Sequence, residues 1–303
     1  MFQLPQTDLK TSRLIQGCMR LAGHDPFVID EVLQTNLDLG MNFFDHADIY
    51  AKGESQKEFA KSMKRLGVSR DQYFLQSKAG ICKGYYNSSK DYILTAVDGI
   101  LKDLQTDYLD VFLIHRPDQL TTYSEVAETF NELYKEGKVR YFGVSNFSLQ
   151  QLESLQHYMD HPLVINQLQF GPAHPGLVTQ GIEVNMTLVK QTTNVDGLLD
   201  YMQREQITMQ AWSPFQVNLQ DGLFMNHPQY KGLTDVIRGI AFDHQTSFEA
   251  IVMAWILKHP ANIQPIIGSM TPERIRHSAK GLEVNLSKEE WYRIYAASTG
   301  RLP

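Results

Sequence analysis

Short apolar runs with many β-branched and aromatic residues recur along the chain at positions 14–18, 42–45, 73–77, 109–114, 139–144, 163–168, 207–212 and 264–267. Between them, 27–39, 54–66, 90–104, 124–136, 149–159 and 198–206 carry apolar residues at three- and four-residue spacings, the period of an amphipathic helix. Gly40, Gly67 and Gly137 stand where three of these helices should stop. Strand alternating with helix requires parallel pairing through crossovers, and eight such units without a break in composition favour one closed barrel over two domains. The expectation is a single α/β domain over residues 1–303, a (β/α)8 TIM barrel. Long loops should follow strand six (171–191) and strand seven (213–231) and leave the barrel's catalytic face. A C-terminal helix should begin at Ser287, with Trp291, Ile294 and Tyr295 on its packing side.

Three polar residues follow apolar strand runs: Asp45 after Phe43-Phe44, Lys78 after 73–77, and His115 after 111–114. Tyr50 lies in the loop just past Asp45. The C-terminal ends of several strands are where such a barrel assembles an active site. An acid, a phenol, an amine and an imidazole converging there suit proton transfer to a carbonyl oxygen. A hydride arriving at the carbonyl carbon leaves negative charge on oxygen, which needs a donor that stabilises it and then gives up a proton. Tyr50 can be that donor; its ordinary pKa of about 10 makes it a reluctant acid, and a nearby Lys78 ammonium would lower it. Asp45 would keep Lys78 charged and oriented, and His115 would hydrogen-bond the substrate oxygen. His46 and Asp48 read as turn residues or pocket lining.

Composition narrows the field. With 303 residues, 43% of them apolar and 20% charged, the chain can bury a substantial core. A net charge of -6 without a lysine or arginine run leaves no nucleic-acid or anionic-membrane footprint, so a small molecule is the expected partner. The Met1-to-Pro5 start lacks the basic and apolar stretches of a signal peptide, and no apolar run nears the roughly 20 residues that span a bilayer. A cytoplasmic setting is expected. Cys18 and Cys82 are too few and too isolated for a disulfide framework or a Cys-x-x-Cys motif.

The run Gly40-Met41-Asn42-Phe43-Phe44-Asp45-His46-Ala47-Asp48-Ile49-Tyr50, with Gly53-Glu54-Ser55 after it, resembles the signature of the aldo-keto reductase superfamily. The likeness continues through Ser77-Lys78, 109–115 and Gly143-Val144-Ser145-Asn146-Phe147. His115-Arg116-Pro117 and Pro265-Ile266-Ile267-Gly268-Ser269 are most similar to its bacterial YdhF-like branch. The resemblance implies an NADP(H)-dependent carbonyl reductase, with NADH the lesser cofactor, in which Tyr50 gives the proton and Asp45, Lys78 and His115 complete a tetrad. It further implies cofactor contacts from Gly17, Cys18 and Met19 after strand one, and from Ser145, Asn146 and Gln167 to the nicotinamide carboxamide. Trp212, followed by Ser213 and Pro214, falls where the family sets an aromatic ring on the nicotinamide face. Gly268, Ser269, Thr271, Arg274 and Ser278 fall in the phosphate-binding segment. Thr271 reads as the N-cap of a helix with Pro272 in its first turn, a place suited to the 2′-phosphate. No Gly-x-Gly-x-x-Gly run occurs, so the barrel itself must hold the dinucleotide.

The chain also departs from that pattern. Gly268 stands where many members carry a lysine, which removes a phosphate contact. His277 and Ser278 replace the usual adenine partners, 213–222 lacks the glycines expected beneath the pyrophosphate, and 181–193 reads as an insertion. The substrate rim should include Met19, Arg20, His24 and 82–87; Tyr85 and Tyr86 favour a flat or apolar carbonyl, whereas Arg20 favours a carboxylate. Two rival readings stand beside the reductase. One is a nicotinamide-binding regulatory subunit with little turnover. The other is a metal-dependent hydrolase using His46, Asp48 and His115, although no metal site is expected because no His-x-His or His-Glu-x-x-His spacing occurs. Nothing in the chain sets an oligomeric state.

Overall fold

The computed structural model describes residues 1–182, 197–218, 220–300 and 302. Eight parallel strands close into a barrel: β1 (Ile15–Gly17), β2 (Phe43–Asp45), β3 (Phe74–Ala79), β4 (Leu109–Ile114), β5 (Val139–Ser145), β6 (Leu163–Gln169), β7 (Thr208–Trp212) and β8 (Gln264–Ile267). Every strand pairs with its neighbours in sequence, and β5 against β6 and β8 against β1 complete the circle. Helices α1 (Pro26–Asp38), α2 (Glu54–Arg65), α3 (Lys90–Leu104), α4 (Tyr123–Lys135) and α5 (Leu149–Gln156) fill the first five crossovers. α6 (Gly176–Ile182) and α7 (Leu198–Arg204) follow β6, α8 (Lys231–Asp243) and α9 (Phe248–Leu257) follow β7, and α10 (Pro272–Ala279) and α11 (Lys288–Thr299) follow β8.

The strands are buried on both faces, and the period of two sorts their side chains. Phe44, Leu75, Phe112, Phe142 and Ile267 point outward into the layer shared with the helices, while Ile15, Phe43, Val111, Leu113, Ile165 and Ile266 fill the interior. An antiparallel hairpin of Phe2–Gln3 with Lys10–Thr11 closes the N-terminal end, adding Leu4 and Leu9 to the interior cluster. At the other end the inward phase turns polar, with Asp45, Gln76, Lys78, Gln167 and Gln210.

The eight expected strands and the single closed barrel are present, with shifts at their ends. β3 runs on to Ala79, so Lys78 lies inside the strand rather than after it. α5 stops at Gln156, short of the expected 159. The connection after β7 is not bare loop; it holds a hairpin, Gln216–Asn218 with Gly222–Leu223, and two short 3-10 turns. Beyond Ile182, the expected insertion at 181–193 lies outside the described residues.

α11 is held at its start by a capping box, in which Ser287 Oγ accepts from the Glu290 amide and the Glu290 carboxylate accepts from the Ser287 amide. Trp291 then stacks on Trp255 of α9 at 5.0 Å between ring centres, and each indole N–H donates to the other's backbone carbonyl. This satisfies two polar groups that burial would otherwise penalise.

Close strand contact explains a glycine in β5. A Cβ at Gly143 would lie 2.5 Å from Ile165 O and 2.7 Å from Leu113 Cδ2, both in neighbouring strands. Gly143→Ala should therefore cost about 1–3 kcal/mol through overpacking, seen as a lower urea midpoint at unchanged m-value. An unchanged midpoint would show that β5 and β6 separate without penalty.

Candidate active site

β2 hands the chain to a turn stitched onto β3: the His46 amide donates to Gln76 O at 2.8 Å and the Asp48 amide to Lys78 O at 2.9 Å. A tight turn, Tyr50–Gly53, follows. Ala51 and Lys52 hold positive φ angles of 49° and 56°, sparsely populated for residues with a side chain. Gly53 follows at φ 86°, where a Cβ would come within 2.6 Å of Asp103 Oδ2. This turn carries Tyr50 at its first position.

At the centre lies a buried ion pair. Lys78 Nζ donates to Asp45 Oδ1 at 2.6 Å, to Asp45 Oδ2 at 2.7 Å and to His46 O at 2.8 Å. Asp45 Oδ1 accepts further bonds from Gln76 Nε2 at 2.6 Å and Gln167 Nε2 at 3.1 Å. Both glutamines also donate to Gln210 Oε1; Gln210 donates to Gln264 Oε1, and Gln264 to Thr11 Oγ1 and Ser12 O. A chain of amides thus crosses the barrel from the ion pair to the hairpin floor. Burial pushes the Lys78 amine's pKa down while Asp45 opposes the shift, and three oxygen acceptors favour the ammonium.

Tyr50 and His115 stand over this pair. Lys78 Nζ lies 5.3 Å from the Tyr50 ring centre, and the Tyr50 and His115 rings meet edge to face at 6.2 Å. The structure therefore brings Asp45, Tyr50, Lys78 and His115 together. One expectation about them needs correction. The Tyr50 phenol is pushed up, first by burial and then by the Asp45 charge, rather than lowered by Lys78. Lys78 gives its donors to Asp45 and His46 O and none to the phenol. His115 is held down to about 2 by burial, with Lys78 and Arg116 adding to the effect, and its Nδ1 is buried without a partner among the described residues. The imidazole is neutral across the physiological range.

The two neighbours differ from the four. His46 is fully buried, packs edge to face on Phe59 at 4.7 Å, and is lowered to about 3 by burial. Asp48 is raised by burial to about 6; its Oδ2 accepts from Tyr92 Oη at 3.1 Å and its Oδ1 is buried without a partner among the described residues. Among the described residues, no group of three or more His, Cys, Asp or Glu is arranged to hold a metal.

Around the mouth, β5 and β6 place Ser145, Asn146 and Gln167 side by side. Ser145 Oγ donates to Gln167 O at 3.0 Å and accepts from Asn146 Nδ2 at 2.7 Å. Asn146 Oδ1 accepts from Trp212 Nε1 at 3.2 Å. Asn146 and Ser213 adopt positive φ angles of 63° and 49°, which bend the chain sharply off β5 and β7. Pro214 O lies 2.4 Å from where a Gly171 Cβ would be, so that glycine lets the two loops touch. Gly17 and Gly268 are neighbours across β1 and β8, with Gly268 Cα 3.8 Å from where a Gly17 Cβ would be. Cys18 is fully buried and Met19 exposed.

The segment after β8 departs from the expected cap. Thr271 is the N-cap residue of α10 with Pro272 in the first turn, but its side chain makes no capping bond. The turn is instead closed by Ser269 Oγ, which accepts from the Thr271 amide at 3.1 Å. Ser278 is buried on α10. Sequence reading missed Gln76, Gln210 and Gln264, although all three lie on the same inward phase as Asp45 and Lys78.

Residues 13–299 match the model of the aldo/keto reductase family. The chain is 33% identical to the oxidoreductase YdhF of Escherichia coli (strain K12), over 95% of this chain and 94% of that protein. Among solved structures, the thermostable aldo-keto reductase Tm1743 superposes with a TM-score of 0.80 at 25% identity, covering 98% of both chains. An aldo-keto reductase from Klebsiella pneumoniae in complex with NADPH superposes with a TM-score of 0.74 at 26% identity, over 94% of this chain and 90% of that one.

Asp48 gives the site a pH signature. Its folded pKa lies above the ordinary 3.8, so the folded state holds the proton more tightly, and the stability this gives is lost as pH rises through about 6. Asp48→Asn, which keeps an acceptor for Tyr92, should therefore raise Tm at pH 7.5 relative to the parent, and by clearly less at pH 4.5, nearer the unfolded value of 3.8. Equal effects at both pH values in thermal melts would show that Asp48 is not held protonated.

Proposed function

The chain belongs to the aldo/keto reductase family, and from that premise we propose that it reduces a small aldehyde or ketone to the alcohol with NADPH, Tyr50 giving the proton. The observation that carries this reading is the Lys78 ammonium, anchored by Asp45 and His46 O, 5.3 Å from the Tyr50 ring with His115 across it.

The residues at the mouth fit a nicotinamide dinucleotide. Among the described residues Gln167 Oε1 has no donor, so it can accept from a carboxamide, with Asn146 beside it. The Trp212 indole is half-buried and oriented by its bond to Asn146, as a stacking surface requires. Gly17 and Gly268 add no side chains of their own where the Ile266 and Arg20 side chains already approach, and the Ser269–Arg274 segment offers a guanidinium without an ion pair among the described residues. Bound NADPH supplies the hydride.

The protein's own groups manage the oxygen. Tyr50, its phenol pushed up, is fully protonated when substrate arrives. Neutral His115 can present an N–H to the carbonyl oxygen without adding charge, and so fixes its distance to the Tyr50 hydroxyl. As negative charge develops on that oxygen, the Tyr50 proton transfers to it, and the adjacent Lys78 ammonium stabilises the phenolate left behind. Asp45 keeps the ammonium charged and immobile throughout.

Loss of NADPH absorbance with a panel of aldehydes and quinones tests this. Tyr50→Phe, which removes only the hydroxyl, should lower kcat by about 10²-fold or more while NADPH still quenches tryptophan fluorescence as in the parent. NADPH binding with no turnover over the whole panel in the parent chain would support the regulatory-subunit reading instead.

A further inference from the structure

Arg116 directly follows His115 just past β4, and Pro117 after it disfavours a helical backbone at this position. The residue is half-buried, and its guanidinium carbon lies 5.9 Å from the centre of the Trp212 ring. Trp212 Nε1 donates to Asn146 Oδ1 at 3.2 Å, and Asn146 Nδ2 donates to His115 O at 3.4 Å, so one amide ties the ring to the segment that carries Arg116. The guanidinium charge also reaches the His115 imidazole, where it helps to hold the ring neutral. Arg116 therefore stands next to the imidazole that meets the Tyr50 ring.

What this guanidinium lacks is an anion. Among the described residues it makes no ion pair and no hydrogen bond. Asp118, two residues on, is committed elsewhere: its Oδ2 accepts from the Ser88 amide at 2.9 Å and from Thr121 Oγ1 at 2.6 Å, and its Oδ1 accepts from the Leu120 amide at 2.9 Å. Arg70 and Arg140, by contrast, share the buried Asp110. A contact with an aromatic face offsets only part of what it costs to withdraw a charge from water, and the five N–H donors of the fork are left over. Because His115 and Arg116 are consecutive, an oxygen held by the imidazole and an anion held by the guanidinium fit within one small molecule. The fork matches the paired oxygens of a carboxylate or a phosphate. We propose that Arg116 selects carbonyl substrates that carry such an anionic group a few atoms from the carbonyl, gripping it while Tyr50 and His115 hold the carbonyl oxygen. An anion so close would oppose the negative charge that develops on that oxygen, and the guanidinium offsets this repulsion. The inference rests on the reductase reading and names its substrate class.

The test is NADPH oxidation with two matched pairs, succinic semialdehyde against butanal and glyceraldehyde 3-phosphate against glyceraldehyde, in the parent, Arg116→Ala and Arg116→Lys chains. NADPH dissociation constants and Tm are measured alongside. The quantity read is the ratio of kcat/KM for the anionic member to that for the neutral one. Any effect of the substitution on His115 or on the fold is common to both members and cancels in the ratio. Arg116→Ala should lower the ratio about tenfold or more, chiefly through the KM of the anionic member, the scale of one charge-assisted hydrogen bond. Arg116→Lys, which keeps the charge and loses the fork, should recover part of the loss. A fall confined to succinic semialdehyde assigns a carboxylate, and one confined to glyceraldehyde 3-phosphate assigns a phosphate; either supports the proposal. A fall of less than threefold in both pairs overturns it while the reductase reading stands, including the case where NADPH binding alone weakens, which would give Arg116 to the cofactor. A parent chain that reduces none of the four carbonyls would overturn the reductase reading and this inference with it.

Discussion

A lysine and an aspartate buried together in the mouth of a barrel set the terms for much of this structure. Removing both charges from water is costly, and their mutual attraction repays it only if the remaining donors and acceptors are also met. The fold meets that demand from several directions. His46 O takes one Lys78 N–H, and the amides of Gln76 and Gln167 donate to Asp45. The sharp turn after β2 is stitched to β3 so that the same segment supplies both the carbonyl and Tyr50. Satisfying the ion pair and positioning the phenol are thus one structural act.

Much of this was legible in the chain because a barrel strand repeats every two residues. Phe43 and Asp45, Val111 and His115, and Gln76 and Lys78 each fall on one phase, so an inward apolar residue in the lower barrel predicts an inward polar one above it. The same rule would have found Gln76, Gln210 and Gln264, whose amides look unremarkable one at a time and acquire meaning only when three strands face each other. Less of the electrostatics could be read. Proximity of Lys78 to Tyr50 suggested a lowered phenol pKa, but the sign depends on how the ammonium is already shared and on burial, neither of which spacing reports. The Thr271 cap was equally out of reach of spacing: its side chain caps no amide, and the neighbouring turn is closed by Ser269 Oγ accepting from the Thr271 amide.

The two ends of the barrel differ in how their polar groups are spent. Inside, the amides are committed to one another and to the ion pair. At the rim, Gln167 Oε1, His115 Nδ1, Arg116 and Arg274 retain unused capacity among the described residues. A core tied together by this many donated bonds resists rearrangement, although Gln76 Oε1 is buried without a partner among the described residues, so the groups around it can be held in place. Reactivity is concentrated where satisfaction stops.

The N-terminal hairpin has an effect beyond packing. Leu4 and Leu9 enter the interior cluster, and Thr11 and Ser12 take the last bonds of the amide chain from Gln264, so the barrel has a floor. With the interior packed by side chains and tied off below, anything bound at the polar end must enter and leave by that same side. A short strand pair on the far side of the molecule thus makes the barrel one-sided.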